Sequence, residues 1–120
     1  MTKKKAIVIQ DNEDILNIMD EVLVDEGFEV IPSLTTEPIE ELAAIDPDIL
    51  IVDDHIKGSK KGSEVIKEVK TDPDTEELPS VLTSTANDIA KTAAECKADD
   101  FIQKPFDLDH MIDVVKRNSE

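Results

Sequence analysis

The run ILIVD at residues 49–53 constrains the fold more than any other stretch, because four apolar residues lead straight into an acid. An apolar, β-branched run without polar alternation fits a strand buried on both faces. Such strands belong to parallel sheets covered by helices. In open sheets of this kind ligands bind just beyond the carboxyl ends of the strands, where Asp53 is expected. The plain alternative is that Asp53 or Asp54 merely starts the next turn.

The rest of the chain repeats the pattern. KAIVIQ (5–10) and FEVIP (28–32) read as strands 1 and 2, SVLTST (80–85) as strand 4 and DFIQ (100–103) as strand 5. Between strands 1 and 2, Ile15, Leu16, Met19, Val22 and Leu23 recur at helical spacing, with Asn12 as N-cap and Gly27 at the far end. A second helix is expected from Thr35 or Thr36, ended by DPD, and a third over 62–70 on Val65, Ile66 and Val69. The fourth is the alanine-rich DIAKTAAEC, and the last has Leu108, Met111, Ile112 and Val115 inside. Five alternations predict a flavodoxin-like (βα)5 three-layer sandwich with parallel strand order 2-1-3-4-5. That order sets the tips of strands 1 and 3 side by side, so Asp11 and Asp53 converge at the switch point.

The length of 120 residues suits a single domain, 1–120, with no linker or repeat. With 29 acidic against 13 basic residues the formal charge is −16, which argues against nucleic acid or an anionic membrane and for cations or basic protein surfaces as partners. The lone Cys96 allows no internal disulfide and no apolar run could span a bilayer, which together read as a cytoplasmic protein. Three Phe, with no Trp or Tyr, leave no aromatic platform for bases or a flavin.

A carboxylate pair without a His or Cys partner selects a hard, oxygen-loving cation, most naturally Mg²⁺. Two carboxylates about 4 Å apart repel by roughly 4 kcal/mol at an effective dielectric of about 20, so an empty pair is primed for a divalent ion. An aspartate beside such an ion can attack phosphorus and form an acyl phosphate. The new phosphoryl oxygens then need a hydroxyl and a cation. TSTAND after strand 4 offers Thr85, and FIQKPF offers Lys104, whose bond to Pro105 is a candidate cis peptide. Taken singly, Asp11 also reads as an acid near a helix N-terminus, Thr85 as a strand-end hydroxyl and Lys104 as a solvated lysine.

Four stretches in order, IVIQDNEDIL, PDILIVDDHIKGSKKG, LPSVLTSTA and ADDFIQKPFD, make the whole chain resemble the receiver domain of two-component response regulators. The resemblance implies a chemotaxis-type fold in which Asp53 takes a phosphoryl group from a histidine kinase or phosphotransfer protein, with Mg²⁺ required. Asp11, Asp53 and the backbone carbonyl of His55 would hold the metal. Thr85 would close onto the phosphoryl group, Lys104 would pair with it, and Phe101 would be the switch aromatic. A downstream protein would read helix 4, strand 5 and helix 5, with a dimer on activation left open. No output domain is expected after Asn118, and the chain would be no enzyme beyond its own phosphorylation and dephosphorylation.

Departures from the family pattern qualify this. Gln10 stands where a second acid is usual, so the metal would be held more weakly there, through a water. Lys57 replaces a common proline, Gly62 comes one residue late, and the 85–104 segment is short. Lys97 stands in a usual glycine position, which costs on the order of 1 kcal/mol if that residue is left-handed. A pseudo-receiver that binds partners without phosphorylation is the competing reading, with Gln10 its best argument. A flavodoxin-like or phosphatase-type enzyme is a third. It is disfavoured because no Gly-rich phosphate loop and no D-x-D follow strand 1. His55 and His110 have no partner that would make them catalytic, and Cys96 reads as a small buried residue.

Overall fold

The computed structural model describes residues 3–56, 58 and 60–120. Among these, the strands are β1 (Lys5–Ile9), β2 (Glu29–Ser33), β3 (Ile49–Asp53), β4 (Ser80–Ser84) and β5 (Asp100–Gln103). They form one parallel sheet in the order β2-β1-β3-β4-β5, the order expected. The helices are α1 (Glu13–Asp25), α2 (Leu42–Ile45), α3 (Gly62–Thr71), α4 (Ile89–Cys96) and α5 (Leu108–Asn118). The layers are flavodoxin-like.

The central strands are apolar throughout because both faces are covered. On one face Ala6, Val8, Ile49, Ile51 and Ile102 pack with Leu16, Met19 and Leu23 of α1 and Met111, Val114 and Val115 of α5. On the other, Ile7, Ile9, Leu50, Val52 and Leu82 pack with Ile66 and Val69 of α3 and Ile89, Ala93 and Cys96 of α4. Successive strand residues point to opposite faces, so the run 49–52 divides evenly between the two cores. Pro32 lies in the edge strand β2, where a missing ladder donor is tolerated.

Asn12 caps α1 as expected, its Oδ1 accepting the Ile15 N–H at 3.1 Å. The expected second helix is split into a 3₁₀ turn, Glu37–Glu41, and the single α-turn of α2. Pro38 sits in the first turn, where its lost N–H would have been unpaired anyway. Asp46, left-handed at φ 52°, ends α2 just before Pro47.

Lys97 is left-handed, with φ 67° and ψ 27°, and closes α4 as the Ala98 N–H reaches the Ala93 carbonyl at 2.9 Å. A Cβ there meets the following carbonyl, so Lys97→Gly is expected to stabilise the fold by about 1 kcal/mol in urea unfolding. An unchanged or lower midpoint would contradict that. At the start of β5, Asp100 Oδ2 accepts from Arg117 Nε at 2.8 Å and Asn118 Nδ2 at 2.9 Å, fixing the end of α5 to the sheet. Burial alone raises the Asp100 carboxyl, but hydrogen bonds from Asn118, Arg117 and the Phe101 N–H outweigh it and hold it below the ordinary value.

Candidate functional site

Strand register builds the site. Ile9 pairs with Val52, Asp53 with Thr83 and Ser84 with Gln103, so the residues that end or follow four strands meet at one edge of the sheet. There Gln10, Asp11, Asp53, His55, Ser84, Thr85 and Lys104 line one cleft of about 350 Å³. Asp11 and Asp53, 42 residues apart in the chain, face the same space.

The two aspartates that end the 49–54 run have different tasks. Asp54 is structural: its Oδ1 accepts the Ser63 N–H at 3.0 Å and its carbonyl accepts the Gly62 N–H at 3.0 Å, anchoring the start of α3. Asp53 is only 2% exposed and is held from three directions. Lys104 Nζ lies 2.7 Å from Oδ1, the Thr83 hydroxyl donates to that same oxygen at 2.8 Å, and the His55 backbone N–H donates to Oδ2 at 3.1 Å. An ionised carboxylate survives such burial only with partners of this kind.

Lys104 is itself largely buried, with its side chain 13% exposed, and its N–H donates to the Ser84 carbonyl at 2.8 Å. The Lys104–Pro105 bond is cis. Thr85 is exposed at the cleft mouth, one residue past β4, whereas Ser84 is the strand's last residue and is half-buried. Ser84 Oγ accepts the Ala86 N–H at 3.0 Å, which leaves its hydrogen available to donate elsewhere. Thr83 was not anticipated as a site residue. Its signal in the sequence is a hydroxyl within an otherwise apolar strand core.

Gln10 is 1% exposed. Its Oε1 accepts the Asn12 N–H at 3.3 Å, while Nε2 is a buried donor without a partner among the described residues. The His55 side chain is 89% exposed, with Nε2 3.9 Å from Asp11 Oδ2, an ion pair only when the imidazole is protonated. Phe101 is half-buried against the second core and shares a groove with Thr85, Lys104, Phe106 and His110. Cys96 is buried in α4 and burial pushes its thiol up, so it stays an inert packing group. Lys57 lies outside the described residues.

A hard divalent cation fits this donor set. Asp11 and Asp53 bring two carboxylates to one cleft, and no group of three or more acidic, His or Cys residues that could hold a metal ion occurs among the described residues. The orphaned Gln10 amide supplies no charge. Two carboxylates plus waters and a phosphate match what Mg²⁺ accepts.

The order β2-β1-β3-β4-β5 with helices on both faces is the fold of receiver domains, a class of signalling domain. The chain belongs to the response regulator receiver domain family, which it matches over residues 6–116. It is 29% identical over 118 residues to the nitrogen assimilation regulatory protein NtrX of Azorhizobium caulinodans, covering 95% of this chain and 26% of that protein. It thus spans about a quarter of the length of that relative. Among solved structures, a putative response regulator from Chloroflexus aurantiacus superposes with a TM-score of 0.89 at 25% identity, covering 98% of each chain. The receiver domain of NtrX from Brucella abortus gives 0.83 at 30% identity, over 94% of this chain and 96% of that one. Receiver domains generally accept a phosphoryl group, bind Mg²⁺ at that site, and interact with histidine kinases and downstream effectors. No described helix is long and apolar enough to cross a membrane.

Proposed function

We propose that residues 1–120 form one receiver domain that accepts a phosphoryl group on Asp53 from a sensor histidine kinase or phosphotransfer protein in the cytoplasm. The observation that carries this reading is the Asp53 carboxylate, buried at a strand tip, held by Lys104 at 2.7 Å and opening on the cleft it shares with Asp11. An Asp53 oxygen forms the new O–P bond as the P–N bond of the phosphohistidine breaks, and the electron pair leaves on the imidazole nitrogen. Asp11, Asp53 and the His55 carbonyl would hold Mg²⁺, with Gln10 contributing through a water. The ion, when bound, offsets the repulsion between Asp53 and an anionic donor.

Lys104 follows the charge from the carboxylate to the new phosphoryl oxygens, and Thr85 closes onto them. Thr85 and Phe101 line one groove, so closure of Thr85 onto the phosphoryl group would change the surroundings of the Phe101 ring. That shifts a two-state population and alters the face of α4, β5 and α5 that a protein partner reads. Ser84 is a second candidate for the hydroxyl role, because it ends β4 and its carbonyl is tied to the Lys104 N–H. The competing pseudo-receiver reading rests on Gln10, which withholds a charge from the metal site.

Intact mass after incubation with acetyl phosphate tests this. One phosphoryl group is expected with Mg²⁺, none without it, and none in Asp53→Asn. Gln10→Asp should lower the Mg²⁺ concentration required, and alanine at Thr85 or Ser84 shows which hydroxyl the transfer uses. No uptake across a wide Mg²⁺ range, from acetyl phosphate and from a cognate kinase alike, would establish the pseudo-receiver instead.

A further inference from the structure

We infer that Thr83 is a positioning residue that shortens the lifetime of the phosphoryl group on Asp53, an inference that rests on the phosphoacceptor reading above. Thr83 is 1% exposed and stands directly opposite Asp53 in the β3–β4 register. Its hydroxyl donates to Asp53 Oδ1 at 2.8 Å, and its carbonyl accepts the Asp54 N–H at 2.8 Å. Both ends of the residue therefore grip the strand tip that carries the nucleophile. Lys104 can follow charge along its flexible stem, but a β-branched hydroxyl in a packed sheet cannot.

The consequence follows from where charge resides. In the free carboxylate Oδ1 bears about half of a negative charge, and a hydrogen bond to it is charge-assisted. Once the acyl phosphate forms, that charge has passed to the phosphoryl oxygens and the Thr83 bond becomes one to a neutral carboxyl oxygen, whichever oxygen carries phosphorus. Hydrolysis reverses this. Water oxygen bonds to phosphorus, the P–O bond to Asp53 breaks with its electron pair returning to the carboxylate, and the water's proton leaves with inorganic phosphate or solvent. The Thr83 bond strengthens as that carboxylate departs, which lowers the barrier to loss. In the forward direction it stabilises the nucleophile before attack and cannot speed uptake.

Thr83→Val keeps the shape and removes the hydroxyl, and Thr83→Ser keeps the hydroxyl. Wild type and both variants are charged with acetyl phosphate and Mg²⁺, the donor is removed, and decay is followed by intact mass. The valine variant should hold its phosphoryl group roughly three- to tenfold longer, the rate equivalent of the difference between a charged and a neutral hydrogen bond. Its uptake should be no slower, and serine should restore the wild-type lifetime. Thermal melting checks folding, with Thr83→Ala as the second hydroxyl-free variant. Equal or faster decay in valine, or no rescue by serine, would overturn the inference. Slowed uptake together with slowed loss would also overturn it, since that marks a merely distorted site. Wild type that takes up no phosphoryl group would overturn the phosphoacceptor reading and this inference with it, and is told apart by the missing label at time zero.

Discussion

Lys104→Met is expected to lower stability by about 3 kcal/mol, measured by urea unfolding without any phosphodonor. The lysine ammonium sits 2.7 Å from an oxygen of a carboxylate that is 2% exposed, and its own side chain is 13% exposed. Removing one member of such a pair leaves the other charge buried, which costs roughly 3–5 kcal/mol. The lower end applies because the Thr83 hydroxyl and the His55 N–H still donate to Asp53. Methionine matches the length of the lysine stem, so lost packing contributes little. The double variant Lys104→Met, Asp53→Asn removes both charges and should regain most of the loss. If the single variant costs under about 1 kcal/mol, solvent in the cleft screens the pair and it resembles a surface ion pair.

The pair was legible in the sequence from both sides. ILIVD declares a strand buried on two faces, and an acid at its end stands out against apolar neighbours. Lys104 follows another short strand and precedes a proline, so the strand order brings it to the same edge. Thr83 was hidden for a physical reason. SVLTST offers a serine at each of positions 80 and 84 and a threonine at 83 and 85, and a strand covered on both faces shows no polar alternation from which to read which way each points. The pairing of Asp53 with Thr83, which decides the matter, is set by packing of α3 and α4 rather than by a local pattern. The split second helix was equally obscure, because its apolar residues Ile39, Leu42 and Ile45 suit a 3₁₀ turn and an α-turn alike. The orphaned Gln10 amide is a fact of burial, whereas the charge missing at that position was plain from the residue type.

Gly62→Ala should be at least as damaging, and for a reason the sequence does not show. A glycine between a loop and a helix suggests conformational freedom, yet the other two glycines differ from this one. Gly27 and Gly58 have φ of +96° and +73° with open space around them, whereas Gly62 begins α3 pressed against the strand tip. A Cβ at Gly62 would overlap the Asp53 carbonyl oxygen and lie 2.7 Å from both the Asp53 carbonyl carbon and Val52 Cγ1. Backbone cannot swing aside as a surface side chain does, so either α3 or the end of β3 must move. Overpacking of this kind costs about 3 kcal/mol or more, which lowers the melting temperature by roughly 10 °C in a domain of this size. The functional loss should be larger still. Displacing Asp53 by a few tenths of an ångström spoils its alignment with an incoming phosphodonor and its contact with Lys104, and phosphoryl uptake from acetyl phosphate should fall by roughly ten- to a hundredfold. Gly27→Ala is the contrast: it forces an L side chain into the left-handed region at a cost of about 1 kcal/mol, far from the cleft, with uptake unchanged. Wild-type uptake in Gly62→Ala would show that α3 yields without moving Asp53, and that the strand tip is fixed by the sheet alone.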